Sequence, residues 1–301
     1  MTTRKKLYAS IADEVSRILG DEMVVELQEI KKINVSYDGI TIRKQGESIA
    51  PTIYLNQYYS QFNDGREIAD IAKEIIEVYK NNQPDKIATI FDVKDFYDYD
   101  KIKSDIVIKV VNTKKNTDLL ENIPNVSMQG LGLSVVFYLT LMTDSEEGAG
   151  ILIQNEHLKL WNKEISDLLE VAKDNTNRIH KFMVKSLNEI MSEAFGIEEE
   201  LVPDDVPQLY VLTDENKTFG ASAMYCKDKI REFAQKVDAD LYILPSSVHE
   251  LLLMKADFEN VDPAYLKEMV FEVNASEVSE ADFLCDGLFK YILSEDKIIA
   301  L

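Results

Sequence analysis

Cysteine, histidine and tryptophan are scarce in this 301-residue sequence, and it contains no long hydrophobic run. Cys226 and Cys285 are far apart and form no CxxC pair, which excludes a disulfide framework and the usual zinc-finger spacing. No apolar stretch approaches the roughly 18 residues of a membrane-spanning helix. Asp13 and Glu14 interrupt the N-terminal run that a signal peptide would need. These absences predict a cytoplasmic protein.

Positive charge is also in short supply. Lysine and arginine number 33 against 54 acidic residues, so the formal net charge is -21. A field of this sign repels nucleic-acid phosphates and anionic membranes, so we expect no direct binding to a nucleic-acid backbone and no membrane association. The simplest use of the acidity is solubility. Alternatively, it forms a surface for a protein partner, or imitates nucleic acid on a basic partner.

The familiar motifs of nucleotide-binding proteins and hydrolases are missing as well. The sequence has neither G-x-x-x-x-G-K-[ST] nor G-x-S-x-G, and Gly130-Leu131-Gly132 precedes a predicted strand, whereas a dinucleotide fingerprint follows one. His249-Glu250 begins like a zincin motif, but Leu253 stands where the second histidine must be. We therefore predict no cofactor, no metal and no assigned catalytic residue.

One acidic cluster could still offer oxygen ligands to Ca²⁺ or Mg²⁺. It lacks the turn glycine and the terminal glutamate of a calcium loop, and a solvated acidic face explains it better. Its members are Asp92, Asp95, Asp98 and Asp100.

Hydrophobic periodicity predicts both helices and strands. Helical spacing occurs over Lys5–Leu19 and Arg66–Tyr79. Leu133–Met142 is apolar on both faces, as in a central strand, and Asp38-Gly39 is the strongest hairpin-turn signal. The fold class is therefore α/β or α+β, with mixed sheets and flanking helices. We expect a smaller N-terminal part, residues 1–104, and a larger C-terminal part, residues 105–301, with an acidic linker-like stretch at 197–207.

The richest segment for function runs from Leu209 to Glu250. It predicts strands at Leu209–Leu212, Phe219–Tyr225 and Leu241–Leu244, with a helix at Lys227–Val237. Pro245 ends the last strand and is followed by polar, titratable side chains. Since α/β proteins often bind ligands at strand ends, this loop is the candidate ligand site, formed by Ser246, Ser247, His249 and Glu250.

Two other interpretations of the loop compete with ligand binding. A hydrolase would use Ser246 or Ser247 as nucleophile and His249 as base, with Asp238 or Asp240 orienting the histidine. Adjacent side chains rarely reach that geometry, because they point apart. The spacing Ser247-Val248-His249-Glu250 instead fits a capping box at the start of a helix that carries Leu251–Leu253.

Two stretches resemble a bacterial group of uncharacterised proteins, the domain-of-unknown-function families related to YtpQ. The first is Val136–Asn175, with Leu158-Lys159-Leu160-Trp161 at its helix. The second runs from Tyr210-Val211-Leu212-Thr213 to the loop ending at Glu250. The likeness covers most of the chain after about residue 105. It implies a bacterial cytoplasmic protein, carries no established activity and identifies no catalytic residues.

The sequence as a whole predicts a non-enzymatic binding or regulatory protein with an acidic interaction surface and an unknown protein partner. The alternatives are a small-molecule hydrolase that uses Ser247 and His249, and an acidic nucleic-acid mimic that acts on a basic partner protein.

Overall fold

The computed structural model describes residues 3–45, 52–81, 93–141, 149–196, 207–257 and 261–301. The chain divides into two compact units, Met1–Val93 and Lys94–Leu301. Helices and antiparallel sheets are both present, so the protein is of the mixed α and β class, as predicted. None of the helices in these ranges is long and apolar enough to cross a membrane.

The first unit is a three-stranded antiparallel sheet, ordered β1-β2-β3, with helices packed against it. Its core contains Ile11 and Val15 of α1, Ile40 and Ile42 of β2, and Ile75 of α3. The elements are α1 (Thr3–Leu19), β1 (Met23–Lys31), β2 (Ser36–Lys44), β3 (Thr52–Tyr54), α2 (Asn56–Asn63) and α3 (Ile68–Asn81).

The hairpin of this unit turns at a different place from the one predicted. β1 and β2 pair over their whole length, from Met23 opposite Lys44 to Lys31 opposite Ser36. The turn is therefore made by residues 32–35, with Asn34 at φ 63°, and the predicted turn Asp38-Gly39 lies inside β2. A Cβ at Gly39 would stand 2.6 Å from side-chain atoms of Ile30 and Thr52, which would have to shift to make room for it.

The second unit begins with a four-stranded antiparallel sheet. The apolar strand β6 lies at its centre, as predicted, and pairs with β4, β5 and β7. Helix α8 packs on β4. The elements are α4 (Val93–Phe96), α5 (Tyr99–Ile102), β4 (Ile106–Asn112), α6 (Thr117–Leu120), β5 (Asn125–Met128), β6 (Leu133–Leu141), β7 (Ala149–Leu152), α7 (Asn155–Trp161) and α8 (Ile165–His180).

The rest of this unit is a six-stranded antiparallel sheet of order β13-β12-β10-β11-β9-β8. The strand predicted at Phe219–Tyr225 is wrong, because Gly220–Ser222 is a 3₁₀ turn that leads into a short helix. The elements are β8 (Met183–Ser186), α9 (Leu187–Phe195), β9 (Tyr210–Thr213), α10 (Ala223–Cys226), α11 (Asp228–Val237), β10 (Leu241–Leu244), β11 (Leu251–Lys255), α12 (Pro263–Glu277), β12 (Phe289–Ile292) and β13 (Lys297–Ala300).

Candidate functional site

The predicted ligand loop connects two antiparallel strands. β10 ends at Leu244 and β11 begins at Leu251, with Leu244 opposite Leu252. The capping-box interpretation is therefore wrong, since no helix starts after Glu250. Ser247 instead makes a local turn, in which its Oγ accepts a hydrogen bond from the His249 backbone N–H at 3.0 Å. Ser246 Oγ lies 3.2 Å from Glu250 Oε1.

The His249 ring has an acceptor at each nitrogen. Nδ1 hydrogen-bonds to the carbonyl oxygen of Thr218, and Nε2 lies 3.0 Å from Asp282 Oδ1. Both ring nitrogens therefore contact groups other than Ser247, whose Oγ contacts the backbone of His249 and not its ring.

Asp282 is an ionised partner for this ring. Burial raises the pKa of its carboxyl, but hydrogen bonds from Ser279 and His249 outweigh that effect, so the pKa lies below its usual value. Ser279 Oγ donates to Asp282 Oδ2 at 2.7 Å. The backbone adds a further tie, because Val248 N–H donates to the Asp282 carbonyl at 2.8 Å.

The turn at Thr218–Gly220 lies in close contact with His249. Gly220 N–H donates to the His249 carbonyl at 3.0 Å, and Thr213 Oγ1 donates to the same oxygen at 2.9 Å. A Cβ at Gly220 would stand 2.3 Å from that oxygen and 2.9 Å from Thr213 Cα. Glycine is therefore the residue that this approach permits.

Sequence reasoning missed Lys109, the most unusual group near the loop. Its Nζ lies 5.0 Å from the ring centre of Phe219 and 5.6 Å from that of Tyr138. Among the described residues, no carboxylate lies within ion-pair distance of this ammonium. Burial lowers the pKa of Lys109 to about 8, although the charge of Asp282 opposes the shift.

Strand pairing explains how Lys109 reaches this position. Lys109 lies on β4 opposite Val136, and Tyr138 is two residues further along β6, so their side chains share one face of the sheet and meet diagonally. The neighbouring residue on β4 is fixed by side chains, since Thr176 Oγ1 accepts from Ile108 N–H and Ser222 Oγ donates to the Ile108 carbonyl. We call Lys109, Tyr138, Phe219, His249 and Asp282 the lysine site.

A buried contact between a histidine and an aspartate supports the Phe219 turn. His180 Nδ1 lies 2.7 Å from Asp214 Oδ2, and both side chains are buried. Asp214 also accepts hydrogen bonds from the backbone N–H and the hydroxyl of Thr218. Burial raises the pKa of Asp214, but the hydrogen bonds from His180 and Thr218 bring it below its usual value. The His180 ring lies 4.7 Å from that of Phe219, so the pair positions this aromatic side chain.

The remaining predicted residues lie elsewhere. Asp240, one candidate to orient the histidine, accepts from Leu293 N–H and forms an ion pair with Lys290. The carboxylate that does contact His249 is Asp282, which is 33 positions away along the chain and follows no motif that would identify it.

The described members of the acidic cluster have partners close by in the sequence. Asp95 pairs with Lys101 and Asp100 with Lys103, while Asp98 caps α5 by accepting from Asp100 N–H. Asp92 lies outside the described residues, as do positions 197–206 of the linker-like stretch.

A protein-family model described as a family of unknown function (DUF5688) matches residues 5–292. This finding carries no link to the YtpQ-related group. No curated protein and no solved structure matches the chain.

Proposed function

Since this chain belongs to DUF5688, a family of unknown function, we propose from the lysine site that it is a non-enzymatic protein that binds a small anionic ligand. The carboxylate or phosphate group of that ligand binds the ammonium of Lys109. The observation that carries the proposal is a largely buried lysine without an ion-pair partner among the described residues.

The energetics of Lys109 support a role in binding. Moving an ammonium from water into a protein interior is costly unless it is paired. Contacts with two aromatic rings offset only part of this cost, since a cation–π contact contributes about 0.5–2 kcal/mol. Groups that cost stability are concentrated in functional sites. An incoming anion supplies the charge that the lysine lacks.

The neighbours of Lys109 define how the ligand enters. His249 and Asp282 keep 36% and 42% of their side chains exposed, so this side of the lysine site is open to solvent. Phe219 and Tyr138 offer apolar surface beside the charge. The proposed ligand therefore combines one anionic group with a small apolar body, and Asp282 disfavours a second negative charge. This proposal includes the predicted loop, because Ser247 fixes the turn that carries His249.

Calorimetric titration of the full chain with benzoate, phosphate and benzyl alcohol tests the proposal. We expect benzoate to bind, phosphate to bind more weakly and the neutral alcohol not to bind. Lys109→Met is expected to weaken benzoate binding tenfold or more, as for loss of a charged hydrogen bond. The matched control is Lys163→Met, which removes another lysine that lies 4.9 Å from an aromatic ring, that of Tyr99.

Equal affinities of Lys109→Met and the unmodified protein for benzoate would overturn this proposal. A separate thermal-shift screen addresses the loop itself. If every hit is unaffected by Ser247→Ala and His249→Ala, the loop has no part in binding.

An acidic interaction surface for a protein partner remains part of the proposal, supported by the net charge of -21. The hydrolase alternative lacks support, because the described hydrogen bonds put Ser247 Oγ on a backbone N–H and both ring nitrogens of His249 on other groups. The nucleic-acid mimic requires free, evenly spaced carboxylates, whereas Asp95, Asp98 and Asp100 are engaged locally.

We also propose a bacterial, cytoplasmic setting. The support for it is the resemblance described above and the state of the two thiols. Cys226 and Cys285 are free, and burial raises their pKa values to about 12 and about 11. Thiols of this kind are unreactive at neutral pH, as expected of a protein that needs no disulfide.

A further inference from the structure

The outer edge of β1 has no partner strand among the described residues. β1 is the first strand in the order β1-β2-β3, and its 9 residues pair with β2 without a bulge or a proline. The ladder continues at one end, where Gln45 N–H donates to the Glu22 carbonyl, and at the other, where Lys32 N–H donates to the Val35 carbonyl. Native proteins usually shorten, bend or cover a strand edge of this kind, because it is a template for pairing with another chain.

The hydrogen-bond pattern shows which backbone groups face outward. Successive residues of an antiparallel strand bond alternately to one side and to the other. Because Glu22 and Lys32 bond toward β2, so do the even-numbered residues between them, and the odd-numbered residues direct their N–H and C=O groups to the outer edge. At Val25, Leu27 and Glu29 these outward groups have no hydrogen-bond partner among the described residues.

This part of the edge is accessible and lies in the less charged unit. Residues Glu26–Glu29 are all exposed, and a hollow of about 200 Å³, lined in part by Leu27 and Glu29, separates them from the start of α1. The first unit has 12 basic and 15 acidic residues, so most of the net charge of -21 belongs to the second unit. Repulsion between two copies of the first unit is therefore small.

We propose that two copies of this chain associate through their β1 edges, which pair antiparallel about a two-fold axis at Leu27 and join two three-stranded sheets into one. Leu27 then lies opposite the partner's Leu27, and Val25 opposite the partner's Glu29. The outward N–H and C=O groups of each copy bond to those of the other, as in a closed symmetric dimer. This interface is separate from the lysine site, so either proposal can fail while the other stands.

The side chains fit this register. Directly opposite residues lie on the same face of a sheet, so a two-fold axis perpendicular to the sheet must place one residue opposite its own copy. With the axis at Leu27, Val24 lies opposite the partner's Ile30 and Glu22 opposite the partner's Lys32. Apolar side chains face apolar ones and an acid faces a base at both ends of the interface, which are favourable cross-strand pairs.

The neighbouring registers fit less well. An axis at Glu26 or at Glu29 places a carboxylate directly opposite its own copy, which is destabilising. An axis at Gln28 places Leu27 opposite the partner's Glu29. With the axis at Leu27, Glu26 lies opposite the partner's Gln28 and keeps its own ion pair with Arg43. No acid then faces an acid, so the charges select the proposed register.

Sedimentation velocity of the full chain over a range of concentrations tests the proposal. We expect a reversible dimer with a micromolar dissociation constant, since a single strand edge is a small interface. Leu27→Lys and Leu27→Glu are each expected to weaken it by roughly tenfold, because the introduced charges face their own copies at the axis. An equimolar mixture of the two variants should dimerise again, because an acid then faces a base.

The mixture also controls for folding, since it recovers only if both variants fold. Leu27 is 43% exposed, so neither substitution removes a buried side chain. The matched control is Phe62→Lys, which puts the same charge at a side chain of α2 that is 37% exposed, and which should leave the dimer unchanged.

The register itself is tested by oxidative cross-linking. Cα atoms of opposite, hydrogen-bonded residues are about 5.5 Å apart, within the span of a disulfide. Leu27→Cys should therefore form a disulfide-linked dimer with oxidised glutathione. Glu29→Cys should not, because its two copies are offset by about 13 Å along the strands. The unmodified protein, with Cys226 and Cys285, gives the background.

Four results would overturn the proposal. The first is an unmodified chain that stays monomeric throughout the micromolar range, which would leave the edge to solvent or to a strand of another protein. The others are unchanged dimerisation of Leu27→Lys and Leu27→Glu, a mixture of these variants that stays monomeric, and cross-linking of Glu29→Cys as readily as Leu27→Cys.

Discussion

Lys109 is a single residue at which stability and binding make opposite demands. A lowered pKa means that the folded state disfavours the charged form. For a shift from 10.5 to about 8, the cost at neutral pH is at most about 3 kcal/mol. Lys109→Met is therefore expected to stabilise the ligand-free protein by about 1–3 kcal/mol, while it weakens anion binding tenfold or more.

The pH dependence of this gain has a definite sign. Below about pH 8 the lysine is protonated in both states and the full cost is present. Between that value and 10.5 the unfolded chain binds more protons, so the stability contributed by this group rises with pH. Urea unfolding should give a smaller difference in the free energy of unfolding between Lys109→Met and the unmodified protein at pH 10 than at pH 7. A constant difference would show that desolvation of the ammonium is not its cause.

Gly220, beside Phe219 of the lysine site, has no room for a side chain. Gly220→Ala would place a Cβ 2.3 Å from the His249 carbonyl oxygen, so the Phe219 turn must move away from the β10–β11 loop. We expect a loss of about 3 kcal/mol or more in the free energy of unfolding, the range of severe steric and hydrogen-bond disruption. Chemical denaturation measures it.

Gly287→Ala is the control for this change, because a Cβ there meets its nearest atom at 3.4 Å, an ordinary contact. Similar losses in both variants would contradict the argument from close approach.

At the scale of elements, local hydrophobic patterns identified the long and strongly periodic segments. Helical periodicity correctly placed α1 and α3, and the apolar run Leu133–Met142 correctly gave the central strand β6. The segment after Glu250 was misjudged because Leu251–Met254 is a short apolar run, which fits a strand and a buried helix equally well. The segment is a strand because it pairs with β10 and β9. β9 lies about 40 positions earlier in the chain.

The same limit explains why only part of the lysine site was found. His249 was identified because it follows a strand and a proline. Lys109 and Asp282 have no local pattern that distinguishes them from surface residues. Only the fold brings Lys109, on β4, to the Phe219 ring and Asp282, in the segment between α12 and β12, to His249. The pKa of each side chain is set by burial and by neighbouring groups from other elements, which no local sequence pattern shows.

The strand β11 can be tested by substitutions at neighbouring leucines. Leu253 is fully buried, whereas Leu252 points to the other face, where it is partly buried against the cluster that includes Leu266. Leu253→Ala is expected to cost about 2–5 kcal/mol, the usual range for a buried leucine, and Leu252→Ala less. Equilibrium unfolding of both variants gives the comparison, and a larger loss at Leu252 would contradict this burial pattern.

At the scale of the whole molecule, the chain has two compact units with the division at Val93, whereas sequence composition suggested a boundary after residue 104. The residues between these positions are informative. Trp161 Nε1 donates to the Phe96 carbonyl at 2.7 Å, and Tyr99 Oη donates to the Asp167 carbonyl at 3.1 Å. These bonds tie α4 and α5 to α7 and α8 within the second unit.

Two fragments distinguish the boundaries. Residues 94–301 keep these contacts, whereas residues 105–301 expose Trp161 and leave its indole N–H without the Phe96 carbonyl. An aromatic contact contributes about 0.5–1.5 kcal/mol and a hydrogen bond about 1 kcal/mol, so we expect the shorter fragment to be less stable by about 2 kcal/mol or more. Tryptophan fluorescence, reporting on the only tryptophan of the chain, follows the unfolding of both fragments in urea. Equal midpoints with equal emission maxima would place the boundary after residue 104, because residues 94–104 would then add nothing to the second unit.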